Sequence, residues 1–526
     1  MSNASNNTDV IIIGAGISGL YQLYQAREQG LSVRILEAGS DVGGTWYWNR
    51  YPGCRLDSES YSYGYSFSKE LLEEWSWSEE YSSQPENLKY CQYVADKFGL
   101  RDNIQFNTRV KSAVYNESSK RWEVTCESGE VLQSRYLIAA VGILSAPQLP
   151  NIKGMQDFQG QAYHTCNWPH EPVELEGKRI AVIGTGSSGV QVIQEVAKVA
   201  GSLTVFQRTP HWCAPLRNKD IDADRQHYIK DHYEDLFALC ANTDTGFPYL
   251  PDPRSALEVS EEERQALYEE VYAAPGFMKW VGCFSDVLLD ERANATASEF
   301  MANKIRGRVN DPETAEKLVP KTYGYGTKRV ILETNYYEVY NQDNVRLVDC
   351  GETPIEEINT TGIRTSQAQH EFDVIIYATG FDPITGALSR IDIRGKDGRK
   401  LTDHWKYGPK TYLGLTVDGF PNLITLSGPH NPATLCNFTR CTETNVNLAT
   451  DLIKYMEENQ IESFEPKESA VAQWTSHVQE TFNLALFSKV DSWFTGRNTN
   501  VTSERPALTP LVYFGGRSQY KTFCDQ

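Results

Sequence analysis

Gly14-Ala-Gly16-Ile-Ser-Gly19 follows the apolar run Asp9-Val-Ile-Ile-Ile13 and leads through a helical stretch into Val33-Arg-Ile-Leu-Glu37. A short apolar run of this kind suits a buried parallel strand. The glycines allow a tight turn and let a pyrophosphate approach a helix N-terminus, where unpaired N–H groups and the dipole favour an anion. Glu37, ending the second strand, can accept hydrogen bonds from both hydroxyls of a ribose. The pattern recurs in Arg179-Ile-Ala-Val-Ile-Gly184-Thr-Gly186-Ser-Ser-Gly189 and Ser202-Leu-Thr-Val-Phe-Gln207-Arg208-Thr209. The same 23-residue count from the first glycine reaches Glu37 in one unit and Gln207 in the other. An acid there would repel a 2′-phosphate, whereas Arg208 offers a charge-assisted contact and Thr209 a hydroxyl. Glu37 therefore suits an FAD ribose, and Arg208 with Thr209 suits NADPH over NADH. Together the two sites imply hydride transfer from NADPH to a flavin.

Where the electrons go next depends on other residues. A disulfide reductase needs two closely spaced cysteines in a redox motif. The nearest pair, Cys436 and Cys441, has four residues between its members, and no C-x-x-C occurs. An oxidase or quinone reductase needs no dedicated oxygen-insertion residues. Three further segments do point to oxygen insertion. Gly43-Gly44-Thr45-Trp46-Tyr-Trp48-Asn-Arg50-Tyr51-Pro52-Gly53-Cys-Arg55-Leu-Asp57 offers backbone that can approach a flavin, aromatics that wall it from water, and a charge that wants a partner. Phe158-Gln-Gly160-Gln-Ala-Tyr-His164-Thr-Cys-Asn-Trp168-Pro169-His170 lies between the two nucleotide units, and Gly326-Thr-Lys328-Arg329-Val-Ile-Leu follows them.

These segments resemble the fingerprints of the Baeyer–Villiger monooxygenases, class B flavoproteins, and most of all the phenylacetone and cyclohexanone type. The resemblance covers nearly the whole chain, departing only mildly at His170. It implies an FAD- and NADPH-dependent enzyme that converts a ketone and O2 to an ester or lactone through a C4a-peroxyflavin. Arg329 would then be the electrostatic catalyst and Asp57 the residue that orients it. The resemblance places Gly14, Gly16, Ser18, Gly19, Glu37, Gly44, Thr45, Trp46, Asp57, Tyr63, Val110 and Phe438 around FAD. It places Arg55, Thr185, Gly186, Ser187, Ser188, Gly189, Gln191, Arg208, Thr209, Lys328, Arg329 and Trp493 around NADP. His164 would lock a linker between the two nucleotide domains. Gly428-Pro-His-Asn-Pro432-Ala-Thr-Leu435-Cys-Asn-Phe438 would line an apolar substrate pocket. A flavin monooxygenase of soft N or S centres is a competing reading, but its short fingerprint ends in Tyr where this chain has Trp168-Pro169. A non-catalytic redox-sensing protein would not need Arg329 and Asp57.

The expected architecture is α/β, two Rossmann-like dinucleotide-binding domains plus a helical subdomain. The FAD domain would take 1–150 and 375–526, with an NADP domain of 151–215 and 325–374 inserted. Residues 216–324 would form the helical part, where Ser260 and Glu263 spell a capping box. A chain of 526 residues exceeds what one hydrophobic core usually serves, so two or three domains are expected. A net charge of −19 argues against nucleic acid or an anionic membrane as partner. Met1–Asp9 lacks a secretory pattern, and no apolar run approaches the roughly 20 residues that span a bilayer. The 11 scattered cysteines fit reduced thiols in a cytoplasm. The histidines lack metal-ligand spacing, so no metal is expected.

Overall fold

The computed structural model describes residues 7–497 and 509–526; Met1–Asn6 of the polar N-terminus fall outside the described residues. Strand β1 (Asn7–Ile13) runs into helix α1 (Ile17–Glu28) and strand β2 (Val33–Leu36). β1 lies between β2 and β3 (Val131–Ala139), parallel to both. The eight-stranded sheet is completed by Ile104–Gln105 beyond β2, by Leu423–Thr425 beside β3, and by Arg121–Cys126, Val110–Asn116 and Asp392–Arg394 on the far side of β3. The second sheet repeats the motif in five parallel strands. There β4 (Arg179–Ile183), α2 (Ser187–Val196) and β5 (Ser202–Gln207) are joined by Val345–Asp349, Gln161–His164 and β6 (Val374–Tyr377).

One expected boundary is corrected here. β6 pairs with β4 and with Gln161–His164, so the second sheet holds the chain through Tyr377 and a change of domain at 375 would cut a paired strand. A period-free apolar run cannot tell which of the two sheets will take it; the register Val374↔Ile180 decides.

Both faces of each central strand are buried. Val10 and Ile12 join one apolar cluster, Ile11 and Ile13 another. Ile180 and Val182 join that first cluster too, while Ala181 and Ile183 enter a third. Two-sided burial is why these strands read as unbroken apolar runs instead of alternating ones. It also means that the first cluster is shared by both sheets and by Tyr268 and Phe300 of the helical part, while the second and third each cover the other face of one sheet.

Residues 216–324 carry six α-helices, among them Glu261–Ala273, whose Ser260 and Glu263 close the capping box, and Glu291–Arg306. The segment leaves and re-enters through the paired strands Cys213–Pro215 and Ile331–Glu333. Arg308 fastens it there: Nη1 donates to Glu333 Oε1 at 2.7 Å and Nε to Glu338 Oε1 at 2.7 Å. Cys436 and Cys441 form a disulfide across the start of the helix Phe438–Glu458, correcting the expectation of reduced thiols throughout. Their Cα atoms are 6.4 Å apart, within disulfide range, because the chain turns into the helix between them. Among the described residues no helix is long and apolar enough to cross a membrane, and no group of His, Cys, Asp or Glu is placed to hold a metal ion.

The Glu333 side chain is 0% exposed, so removing its partner strands a buried carboxylate. Arg308→Met is expected to lower the unfolding free energy by about 3–5 kcal/mol, read from the urea midpoint of tryptophan fluorescence. A loss below about 1 kcal/mol would mean that water screens the pair.

Candidate functional site

The two glycine turns are built alike. Gly14 has φ +104°, and a Cβ on it would meet Ala140 O at 2.6 Å; Gly184 has φ +107°, and a Cβ would meet Ala378 O at 2.5 Å. A Cβ on Gly19 or Gly189 would strike the carbonyl of Gly14 or Gly184, at 2.0 and 2.2 Å. Only glycine therefore lets each helix start this close to its strand. α1 and α2 begin after Gly16 and Gly186, with no side-chain cap and no acid in the first turn. Their N-terminal N–H groups are thus left to an anion. Around Gly186 a Cβ would meet nothing within 4 Å, an open cradle of the kind a pyrophosphate fills. Ser18 sits buried in α1, Ser187 and Ser188 open α2, and Thr185 Oγ1 donates to Thr209 O at 3.2 Å.

Glu37 stands at the end of β2 with its carboxylate already aligned: Oε2 accepts from Ala15 N at 2.7 Å and Oε1 from Gly39 N at 2.6 Å. Burial pushes its pKa up, against these hydrogen bonds. Gly43 and Gly44 fold over the same turn, so that a Cβ on Gly44 would lie 2.8 Å from Gly16 Cα. Beyond them Thr45–Trp48 forms one helical turn. Trp46 Nε1 donates to Tyr63 OH at 3.1 Å, and both side chains are buried. Val110 is buried at the start of its strand.

Asp57 and Arg329 meet. Arg329 Nη2 donates to Asp57 Oδ2 at 2.7 Å across 272 residues of sequence, with side chains 26% and 27% exposed. The Arg329 Cζ also stands 4.8 Å from the centroid of Phe277, a fully buried ring. Carboxylate and ring fix the guanidinium from two directions while leaving it reachable from solvent. Phe277 belongs to no motif, and nothing in the sequence marks it.

At the second glycine turn, Arg208 and Lys328 share one electropositive neighbourhood. Burial pushes the pKa of Arg208 down, and burial with the Arg208 charge pushes that of Lys328 down, while Asp491 acts the other way. Trp493 lies two residues beyond Asp491, half-buried with its ring centroid 4.2 Å from Phe494. The Tyr51-Pro52-Gly53 turn docks on α2: Tyr51 OH donates to Gln191 Oε1 at 2.8 Å, and Gln191 Nε2 donates to Arg55 O at 3.2 Å. The Arg55 guanidinium turns toward Tyr81 O at 3.3 Å and Glu79 at 3.5 Å.

His164 is where three stretches of chain cross. Its Nδ1 accepts from Cys166 N at 3.2 Å, and its Nε2 lies 3.4 Å from Thr379 Oγ1. Thr379 Oγ1 in turn donates to Gln148 O at 2.7 Å. Burial pushes the His164 pKa down, so the ring is a neutral hydrogen-bonding group. In the 428–438 segment, Phe438 starts its helix half-buried and packs with Ala433, Cys436 and Cys441. His430 is 1% exposed at φ +67°, and its N–H donates to Leu511 O at 2.9 Å.

The chain matches a family model described as pyridine nucleotide-disulphide oxidoreductase over residues 11–297, a stretch that contains both glycine turns. It is 46% identical over 534 residues, 100% of this chain and 98% of the relative, to the 2-oxo-Delta(3)-4,5,5-trimethylcyclopentenylacetyl-CoA monooxygenase of Pseudomonas putida. It is 41% identical over 516 residues, 98% of this chain and 93% of the relative, to a Baeyer–Villiger monooxygenase of Pseudooceanicola batsensis. A crystal structure of OTEMO in complex with FAD and NADP superposes with a TM-score of 0.95 at 46% identity, covering 99% of this chain and 97% of that one.

Burial pushes the His430 pKa from 6.5 down to about 4. The unfolded chain therefore takes up the proton first, and stability falls as pH drops below about 6.5, levelling off below about 4. At pH 5 the His430 share of the loss is roughly 2 kcal/mol. His430→Asn, which tolerates positive φ, is expected to remove that share, so its urea midpoints at pH 7 and pH 5 should lie closer together than those of the parent.

Proposed function

The chain belongs to the Baeyer–Villiger monooxygenases, FAD- and NADPH-dependent enzymes that convert ketones to esters or lactones, and we propose that Arg329, held by Asp57, is its electrostatic catalyst. The observation that carries this reading is the 2.7 Å pair between two motifs 272 residues apart. When bound, FAD would supply the redox chemistry: two electrons taken as hydride from NADPH, one oxygen atom of O2 delivered to the substrate and the other released as water.

The chain's own residues provide the setting. Gly14, Gly16, Gly19 and Glu37 hold the pyrophosphate and ribose of FAD, and Gly184, Gly186 and Gly189 hold those of NADPH. Arg208, Thr209 and Lys328 take the 2′-phosphate. Trp46 and Tyr63 form a dry aromatic wall on the flavin side, which keeps water from the reacting oxygen. Arg329 stabilises negative charge as it develops on the carbonyl oxygen of the ketone. Its cation is already oriented, so little reorganisation is needed when the charge appears. Asp57 keeps the guanidinium in place and moderates its charge. His164, neutral and hydrogen-bonded, is a clamp on the linker between the two nucleotide sites and carries no proton in the reaction. The remaining substrate wall falls to Leu435 and Phe438, whose apolar surfaces suit a ketone without fixed charge beside its carbonyl.

Arg329→Ala is expected to cut ester formed per NADPH oxidised by about 100-fold or more while NADPH oxidation persists, with ester quantified by gas chromatography against a panel of cyclic and linear ketones. Normal ester yield from that variant would remove Arg329 from the mechanism. Loss of NADPH oxidation together with ester would instead make it a nucleotide-binding residue.

A further inference from the structure

A 2′-phosphate site made from Arg208 and Lys328 needs two stretches of chain, 120 residues apart, to converge and stay put. One side chain touches both. Tyr323 is 8% exposed, and the Lys328 Nζ stands 4.3 Å from the centroid of its ring. Its hydroxyl donates to Pro210 O at 2.9 Å, one residue past Thr209, and its own carbonyl accepts from Trp212 Nε1 at 3.2 Å. The ring of His211 packs edge-on against it, with centroids 6.3 Å apart. Tyr323 thus stitches Thr209–Trp212 to the Lys328 turn by a cation–π contact and two hydrogen bonds.

Three basic groups, Arg208, His211 and Lys328, gather here. Burial and the charges of Lys328 and Arg208 push His211 down to about 4. Asp491, the acid that acts on Lys328, is already paired with Arg497 at 3.1 Å. Basic groups that depress one another in a half-buried place are relieved by an anion. An ammonium fixed over a ring meets a phosphate without first giving up its side-chain entropy.

We propose that Tyr323 is a positioning residue for nucleotide selectivity: its ring presents Lys328, and its hydroxyl sets the Arg208–Thr209 stretch against it, so that the enzyme distinguishes NADPH from NADH. This rests on the reading of Arg208, Thr209 and Lys328 as the phosphate site. A residue that served only to stabilise the fold would weaken both nucleotides alike; Tyr323 acts on the one that carries the phosphate.

The experiment measures Kd for NADP+ and NAD+ on the full-length, FAD-loaded protein, by perturbation of the flavin absorbance at fixed ionic strength. Tyr323→Leu is expected to weaken NADP+ by about tenfold and NAD+ by less than about twofold. Tyr323→Phe, which keeps the ring and loses the Pro210 hydrogen bond, is expected to weaken NADP+ by about two- to fivefold. In a Lys328→Ala background, Tyr323→Leu should add no more than the roughly two- to fivefold of the lost Pro210 hydrogen bond, because the ring contact with Lys328 is already gone. Parallel weakening of both nucleotides, an unchanged NADP+ Kd, or a full effect that persists without Lys328 would overturn the proposal. If Tyr323→Leu fails to retain FAD, the Phe variant decides, and an unchanged NADP+/NAD+ ratio there overturns it. Arg208→Ala separates the two layers. A ratio unmoved by Arg208→Ala sinks the phosphate-site reading itself, whereas a ratio that collapses there and ignores Tyr323 sinks only the role of Tyr323.

Discussion

Two adjacent cations, Lys328 and Arg329, must be held half-buried and kept in different employment, and much of the structure serves that constraint. A desolvated cation is costly unless it is paired or lies on an aromatic face. Arg329 has both supports, the Asp57 carboxylate at 2.7 Å and the Phe277 ring at 4.8 Å. Lys328 has the Tyr323 ring at 4.3 Å and, among the described residues, no carboxylate in ion-pair contact. The difference suits their roles. In the proposed roles, a catalyst that acts on a small developing charge is fixed by a carboxylate, while a group that receives a phosphate is held by a ring. Both rings come from the stretch that includes the helical segment, whose contribution to the site is therefore an aromatic bed for charges supplied by the turn before Ile331–Glu333.

The shared core explains why such placement holds. A 2.7 Å ion pair between residues of different units survives only if the units do not drift, and here Val10, Ile180 and Tyr268 belong to one buried cluster. At the seam, Tyr51 and Arg55 grip Gln191, and His164 joins Thr379 and Gln148. These hydrogen bonds are individually modest. Their effect is directional: they fix how one sheet is set against the other, while the apolar cluster supplies the free energy.

The sequence was legible where local chemistry repeats. Both strand–turn–helix–strand units and the capping box at Ser260 follow from motifs whose residue types are dictated at close range, while the pairing of Asp57 with Arg329, 272 residues apart, was legible only through the family resemblance. It was opaque where partners are chosen by packing alone. Phe277 and Tyr323 have no periodic signature, because a ring beneath a cation can come from any element that passes by. The sheet that claims Val374–Tyr377 depends on register with Arg179–Ile183, and the Cys436–Cys441 bond depends on a turn into a helix. The sharing of one cluster by both sheets depends on both faces of β1 and β4 being covered, a tertiary fact that apolar runs only permit.

The two nucleotide units show how little change a new specificity needs. At the equivalent position Glu37 has both oxygens accepting backbone N–H groups, and Gln207 has its Nε2 donating to Lys317 O at 2.7 Å. The first unit keeps a carboxylate at the strand end. In the second the amide gives up that charge and instead tethers the helix Pro312–Leu318 to the end of β5. Removing the carboxylate is a precondition for the Arg208 and Lys328 cluster, because an acid there would both neutralise the cations and repel the phosphate. The same substitution thus opens the site electrostatically and anchors the end of the segment from which Tyr323 reaches Lys328. In the proposed reading, selectivity in this unit is a property of that whole arrangement, of which Arg208 is only the part a motif can display.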